Sequence, residues 1–156
     1  MQVKMFHSVW GYAEQPPYEE KFARLREAGY DGVEAGPPPL EPAAWRELLG
    51  RHQLAYLGMI FVDNAQQFAA ELKKIAAYEP VMVCVHALRD RTPFADGCAF
   101  LAEALKIEAD IGIPVAHETH RGRMLCNPWV TAAYAEKFGD LKFCADFSHF
   151  VNVCES

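Results

Sequence analysis

The sequence predicts an α/β fold in which about six parallel strands alternate with helices. Six short apolar, β-prone segments recur along the 156 residues, and the stretches between them carry helical patterns. Strand and helix repeated in this way are typical of right-handed βαβ crossovers, which make every strand of the sheet parallel. A chain of this length accommodates one hydrophobic core, so residues 1–156 are predicted to form a single domain.

The apolar segments define the predicted strands, which cover residues 3–9, 32–35, 55–61, 81–87, 113–117 and 141–147. Residues 81–85 are apolar without alternation, as expected for a strand that is buried on both faces. The predicted helices cover residues 18–28, 42–51, 65–77, 95–111 and 128–138.

Residues that begin or end helices support these boundaries. Asn127 followed by Pro128 is typical of a helix start, and Asn64 can cap the third helix with its side chain. Glycines that suit a left-handed conformation follow the first, fourth and fifth predicted helices at Gly29, Gly112 and Gly139.

Two architectures share this repeat, an open doubly wound sheet and a (β/α)8 barrel, and the period alone does not choose between them. Eight units of about 26 residues would need around 208 residues, near the lower end of the range of such barrels. The sequence therefore accommodates about six units rather than a complete barrel.

Composition excludes several functional classes. The chain has 15 Lys and Arg against 21 Asp and Glu, and its formal charge of -6 disfavours nucleic acids and anionic membranes as partners. We find neither a signal-peptide pattern nor an apolar run of about 18 residues, so a cytoplasmic location is expected. The five cysteines include no C-x-x-C pair, which predicts reduced thiols rather than a disulfide framework or a zinc ribbon.

Polar side chains cluster at the carboxyl ends of the predicted strands, where parallel α/β proteins build their sites. They are His7, Glu34, His86, Glu118 with His120 and Arg121, and Asp146 with His149. Strand alternation gives Glu118 and Asp146 the inward-facing positions, whereas His117 has the opposite parity and is expected to face the helices. Because two buried carboxylates repel each other, a divalent cation between them is expected, with Mn, Mg, Zn, Co or Fe as candidates.

The segment 117–123, His-Glu-Thr-His-Arg-Gly-Arg, is unusually dense in charged and imidazole groups. Arg121 and Arg123 can hold a hydroxyl-rich, carboxylate or phosphate-bearing substrate, or they can form ion pairs with acidic residues. Asp146 and His149 form a D-x-x-H pattern directly after a strand, within reach of one ligand.

Together the segment 117–123 and the segment 145–149, Ala-Asp-Phe-Ser-His, strongly resemble the xylose isomerase-like TIM-barrel superfamily, and within it the sugar phosphate isomerase/epimerase-type proteins. The resemblance also covers residues 29–34 and His86. It implies an incomplete (β/α)8 TIM barrel of about six units.

The resemblance further implies roles for individual residues. Glu118 would be the first metal ligand and also one member of an acid/base pair. Asp146 would be the second metal ligand. His149 would bind a substrate oxygen or a further metal ion. Relatives take two more ligands from a seventh and an eighth strand, so a weakly bound ion, Mn, Mg, Zn or Co, and an incomplete two-base site are expected. The residues assigned to substrate binding are His120, Arg121, Arg123, His86, Glu34, His7 and Trp10.

Three functions remain open. The first is a metal-dependent isomerase or epimerase that removes a proton next to a carbonyl of a sugar or polyol. The second is a non-catalytic, truncated barrel that binds or self-associates, and the third is an endonuclease IV-like phosphodiesterase, which the charge disfavours. Six strands of a barrel leave open edges, so a homo-oligomer that covers them is expected, with the apolar residues 150–154 in the contact.

Overall fold

A computed structural model describes residues 3–9 and 17–155 of the chain. Its strands are β1 (Phe6–Ser8), β2 (Gly32–Ala35), β3 (Ala55–Val62), β4 (Met82–Ala87), β5 (Val115–Glu118) and β6 (Phe143–Cys144). Its helices are α1 (Tyr18–Glu27), α2 (Pro42–His52), α3 (Ala65–Ala76), α4 (Phe94–Ile111), α5 (Pro128–Lys137) and α6 (Phe147–Cys154).

The order of the strands decides between the two predicted architectures. All neighbours pair in parallel, and the order in space is β1-β2-β3-β4-β5-β6, the same as in the sequence. A doubly wound sheet reverses its strand order at a switch point, and this sheet does not. The strands and helices form a curled half-barrel, so the prediction of an incomplete TIM barrel is confirmed.

Alternation along the strands separates an apolar layer from a polar one. On β4, Val83 and Val85 belong to the hydrophobic core between sheet and helices, while Cys84 and His86 have the opposite parity and face the barrel interior. The outer layer is closed by large buried side chains such as Trp45 on α2. The helices therefore stabilise the sheet by packing on its outer face, and the inner face is free to carry polar side chains.

Most predicted helix boundaries are confirmed. Asn64 accepts a hydrogen bond from the backbone of Gln67, and Asn127 accepts one from the backbone of Val130. Gly112 ends α4 in the left-handed conformation, as predicted. The same prediction for Gly139 is wrong, since α5 ends at Lys137 and the φ of Gly139 is not positive.

The end of the chain differs from the prediction. The sixth strand was expected over residues 141–147, but β6 covers only two residues and a helix, α6, begins at Phe147. The reason is local, because the carboxylate of Asp146 accepts hydrogen bonds from the backbone N–H and the hydroxyl of Ser148 and so caps the helix.

In the described parts of the chain, no helix is both long and apolar enough to cross a lipid bilayer.

The packing of Gly97 yields a first prediction. A Cβ at this position on α4 would lie 1.9 Å from Oη of the buried Tyr134, whereas one at Gly50 on α2 would meet nothing within 4 Å. We expect Gly97→Ala to destabilise the fold by about 1–3 kcal/mol through overpacking. Thermal unfolding followed by circular dichroism checks this, and Gly50→Ala is the control that should leave stability unchanged or raise it. Equal effects of the two substitutions would contradict the packing at Gly97.

The outer surface of α6 yields a second prediction. None of the described residues of α6 is buried, and Phe147 and Val151 expose 70% and 51% of their surface. Within residues 3–9 and 17–155, no strand pairs with the outer edge of β1 or β6. We expect the chain to self-associate and Val151→Asp to weaken that association, because a carboxylate resists burial.

Light scattering at micromolar concentration measures the oligomeric state. Val81→Asp is the matched control, because Val81 is also about half exposed, at 49%, but precedes β4 at the other end of the barrel. A wild-type chain that scatters as a 17.5 kDa monomer would rule the prediction out.

Candidate active site

A pocket of about 450 Å³ opens at the carboxyl ends of the strands. Each of the six strands, or the residues directly after it, contributes to its wall, as the parallel topology requires. The lining residues are Ser8, Glu34, Met59, Phe61, His86, Glu118, His120, Asp146 and His149.

Glu118, the last residue of β5, contacts two side chains of the neighbouring strand β4. Its Oε2 lies 3.0 Å from Sγ of Cys84, whose thiol donates a hydrogen bond, and 3.0 Å from Nε2 of His86. The second contact has the distance of an ion pair, but its angle does not meet that of a regular hydrogen bond. The pairing of β4 with β5 explains this convergence, because Cys84 lies opposite Ala116 and His86 therefore lies beside Glu118.

These neighbours determine the charge of Glu118. Burial by itself raises the pKa of the carboxyl, but the contacts with His86 and Cys84 and the nearby His120 outweigh burial and hold the pKa below its ordinary value. For Cys84, a hydrogen bond with the Cys144 thiol, burial and the charge of Glu118 all raise the pKa. The arrangement therefore favours an ionised Glu118 next to a protonated thiol.

Glu34, at the end of β2, has the opposite electrostatics. Burial raises the pKa of its carboxyl, and the negative charge of Glu118 raises it further. A hydrogen bond from Ser8 and the nearby His86 counteract these effects only in part. The pocket thus contains two carboxyl groups whose pKa values are displaced in opposite directions.

Two further imidazoles complete the polar side of the pocket. The rings of His120 and His149 are 3.9 Å apart, and His120 also meets His86 edge to face at 5.0 Å. Burial and the charges of the other two histidines lower the pKa of His120, despite the opposing effects of the Arg121 carbonyl and Glu118. A neutral His120 can act as a ligand through a ring nitrogen.

Asp146 is held at the rim by its neighbours. The Thr119 hydroxyl accepts a hydrogen bond from the Asp146 backbone N–H at 2.8 Å and donates one to the Asp146 carbonyl at 3.1 Å. The hydrogen bond of the carboxylate with the Ser148 hydroxyl lowers the pKa of Asp146. His149 lies farther away, with its Nε2 3.7 Å from Oδ2 of Asp146.

The structure brings together six of the ten residues predicted for the site. These are Glu34, His86, Glu118, His120, Asp146 and His149. Their assigned roles stay predictions, because placement alone does not test a catalytic or binding role.

Three of the other four predicted residues lie away from the pocket lining. His7 is on the opposite face of β1, against the Tyr30 ring, because its partner in the sheet is Val33 and not Glu34. Arg121 is exposed. Arg123 contacts Oδ1 of Asp63 at 3.3 Å, which is the ion pair that the sequence left open as its alternative role.

Trp10, the fourth, falls outside the described residues.

Sequence reasoning missed four residues of the site. Ser8, Met59 and Phe61 line the pocket, and the Phe61 ring stacks on His86 at 4.2 Å. Cys84 contacts Glu118 from below the pocket floor. Strand parity could have found Cys84, which is two residues before His86, whereas apolar and small residues at strand ends carry no distinctive signal.

The donor atoms fit a divalent cation. Glu118, His120 and His149 each offer one ligand atom, and the three atoms lie within 4.8 Å of one another. Nδ1 of His149 is buried and, among the residues that the structure describes, has no hydrogen-bond partner. A set of one oxygen and two imidazole nitrogens suits Zn, Co or Mn better than Mg. It differs from the predicted set in one member, since His120 takes the place of Asp146.

The environment of Glu34 yields a third prediction. A carboxyl whose pKa is raised in the folded state destabilises the fold once it ionises. The cost is absent below the ordinary pKa of Glu, grows as pH rises towards the raised value and persists above it. We therefore expect the stability advantage of Glu34→Gln over the wild type to increase as the pH rises above about 4, the ordinary pKa of Glu.

Urea denaturation at several pH values measures this advantage. Glu103→Gln, an exposed substitution on α4, is the control and should show no such increase. A pH-independent difference for Glu34→Gln would show that Glu34 is not destabilised by ionisation.

Solved structures with a similar fold share little sequence with this chain. A sugar phosphate isomerase/epimerase from Parabacteroides distasonis aligns with a TM-score of 0.77 and 11% identity, over 98% of this chain and 68% of that one. An L-ribulose 3-epimerase aligns with a TM-score of 0.75 and 15% identity, over 99% of this chain and 64% of that one. A probable 3-DHS dehydratase of petrobactin synthesis from Bacillus anthracis has a TM-score of 0.73 and 14% identity, over 96% of this chain and 65% of that one.

No protein-family model and no curated protein matches the sequence. The chain spans about two thirds of the length of the solved structures that it resembles. At these identities the likeness concerns the fold alone, and it agrees with the resemblance carried by residues 117–123 and 145–149. The chain shares the TIM-barrel fold of these proteins over about six βα units.

Proposed function

We propose that the pocket binds a sugar, a sugar phosphate or a related polyol together with a divalent metal ion, and that it moves a proton at the carbon next to a carbonyl. The observation that carries this proposal is the pair of carboxyl groups, Glu34 and Glu118, which face one pocket with pKa values displaced in opposite directions. Such a pair divides the roles of base and acid between two carboxyl groups of one site.

Glu118 is the base in this proposal. Its carboxylate is ionised and is held by Cys84 and His86, so it has a fixed position from which to accept the proton of a C–H bond. The bond from carbon to hydrogen breaks, the proton goes to Glu118, and the electron pair moves towards the carbonyl oxygen. The product of this step is an enediolate.

Glu34 is the acid. Because its pKa is raised, Glu34 is the carboxyl that holds a proton more readily, and in this proposal it delivers that proton to the enediolate carbon. Delivery to the same carbon from the other side inverts that centre, and delivery to the neighbouring carbon moves the carbonyl. In either case Glu34 ends ionised and Glu118 protonated, and exchange of one proton through solvent restores the starting state.

The remaining residues of the site bind the metal ion and orient the substrate. Glu118, His120 and His149 would hold the metal ion, which when bound polarises the carbonyl and makes the neighbouring proton more acidic. Phe61, which is 37% exposed and stacked on His86, offers an apolar surface to the C–H face of a sugar ring. Arg121 is exposed and directly follows His120, so a phosphate group at the rim would be accessible to it, whereas Arg123 is paired with Asp63.

The fourth prediction tests this function by proton exchange. Purified protein with Mn²⁺ or Zn²⁺ is incubated with ketoses and inososes in D2O, and deuterium incorporation next to the carbonyl is followed by NMR. We expect Glu118→Gln to lower the exchange rate by about 10²- to 10⁴-fold, because it removes the base. Glu34→Gln should lower epimer or isomer formation by more than it lowers exchange.

A control variant and a metal-binding measurement distinguish the proposed reaction from a non-catalytic barrel. Glu103→Gln on the outer surface of α4 should leave exchange unchanged. Titration calorimetry with Mn²⁺ and Zn²⁺ should show binding that weakens in His149→Ala. No exchange with any compound and no metal binding would refute the proposal and favour a non-catalytic barrel.

A further inference from the structure

We propose a second metal site in this chain, a thiolate-containing zinc site formed by Cys84, His86 and Glu118 on the inner face of the sheet. Each residue offers one donor atom, and the three atoms lie within 4.8 Å of one another. The Cys84 thiol would release its proton to solvent as the ion binds, because the thiolate is the form that coordinates a metal. The site shares Glu118 with the pocket above it, but its existence does not depend on the proposed reaction.

The sheet brings the three donors together without any loop. Cys84 and His86 are two residues apart on β4, so their side chains project from the same face. Glu118 lies on the adjacent strand, and its Oε2 is 3.0 Å from both Sγ of Cys84 and Nε2 of His86. Donors that share one zinc ion, at about 2.0–2.3 Å each, are at most about 4.6 Å apart, so both contacts fit.

His86 gives independent support for a ligand. Its side chain is 4% exposed, and its Nε2 lies 3.0 Å from Oε2 of Glu118 without forming a regular hydrogen bond. A buried polar atom without a well-formed hydrogen bond is costly, and coordination of a metal ion through Nε2 would satisfy that atom. The ring of Phe61 stacks on His86 and fixes the plane in which such a nitrogen would point.

The donor set indicates which metal would bind. One thiolate, one imidazole and one carboxylate form a softer site than carboxylates and imidazoles alone, and they select Zn²⁺ or Co²⁺ over Mg²⁺ and Mn²⁺. His86 and Glu118 line the pocket while Cys84 is buried beneath them, so an ion would enter from the pocket. Three protein ligands leave a fourth position open on that side.

The fifth prediction uses cobalt as the probe. Metal-free protein of residues 1–156 is titrated with Co²⁺, and a thiolate ligand gives a sulfur-to-cobalt charge-transfer band in the near ultraviolet. We expect this band to saturate near one equivalent, to disappear when Zn²⁺ is added and to be lost in Cys84→Ser. His86→Gln should weaken Co²⁺ binding by more than about tenfold while the thermal midpoint shows that it remains folded.

Two controls separate this site from its surroundings. Cys154→Ser removes a thiol on α6 and should leave the band intact. His149→Ala removes a ligand of the upper cluster and should also leave it intact. A wild-type protein without the band, or a band that survives in Cys84→Ser, would overturn the zinc site.

The outcomes also distinguish this site from the proposed function. A cobalt band without proton exchange on any substrate would support the zinc site and refute the reaction. Proton exchange that depends on Glu118, without a thiolate band, would refute the zinc site and leave the reaction standing.

Discussion

The burial of the Glu118 carboxylate is the constraint on which the rest of the site depends. An ionised carboxylate taken out of water is costly unless charges or hydrogen-bond donors replace the lost water. Cys84 and His86 supply those contacts at 3.0 Å each, and the register of β4 with β5 brings both residues to the side of Glu118 that faces β4. A shift of one residue in that register would turn Val83 and Val85 towards the carboxylate and destroy the site.

The same alternation explains why a polar site and an apolar core coexist in a small domain. Residues of one parity pack against the helices, where His117 is the exception and contacts Oε1 of Glu108 on α4 at 2.8 Å. Residues of the other parity point into the barrel. Polar side chains there need hydrogen-bond or charge partners rather than apolar packing. A polar side chain on the inner face therefore leaves the apolar contacts between the sheet and the helices intact.

Much of the fold and part of the site could be predicted from the sequence. The repeat of strand and helix located five of the helices, and strand parity correctly placed Glu118 inside and His117 against the helices. The prediction failed where the signal is short. β1 has only three residues, so its parity could not be read and His7 was chosen instead of Ser8.

Helix α6 was not predicted because Asp146 fits two different sequence patterns. As an acid after a strand it suggests a ligand, and as the residue before a helix it caps α6. Because the Asp146 carboxylate caps α6, a second carboxyl for the site has to come from another strand of the sheet.

The sequence led us to expect that a two-base site would be incomplete. In the proposed function Glu34 supplies the second carboxyl, because it enters the same pocket from β2 and lies close enough to Glu118 for the charge of Glu118 to raise the pKa of Glu34. Two acids from strands three apart in the sheet therefore meet in one pocket only because the sheet curls, and the curvature of the half-barrel becomes a requirement of the chemistry.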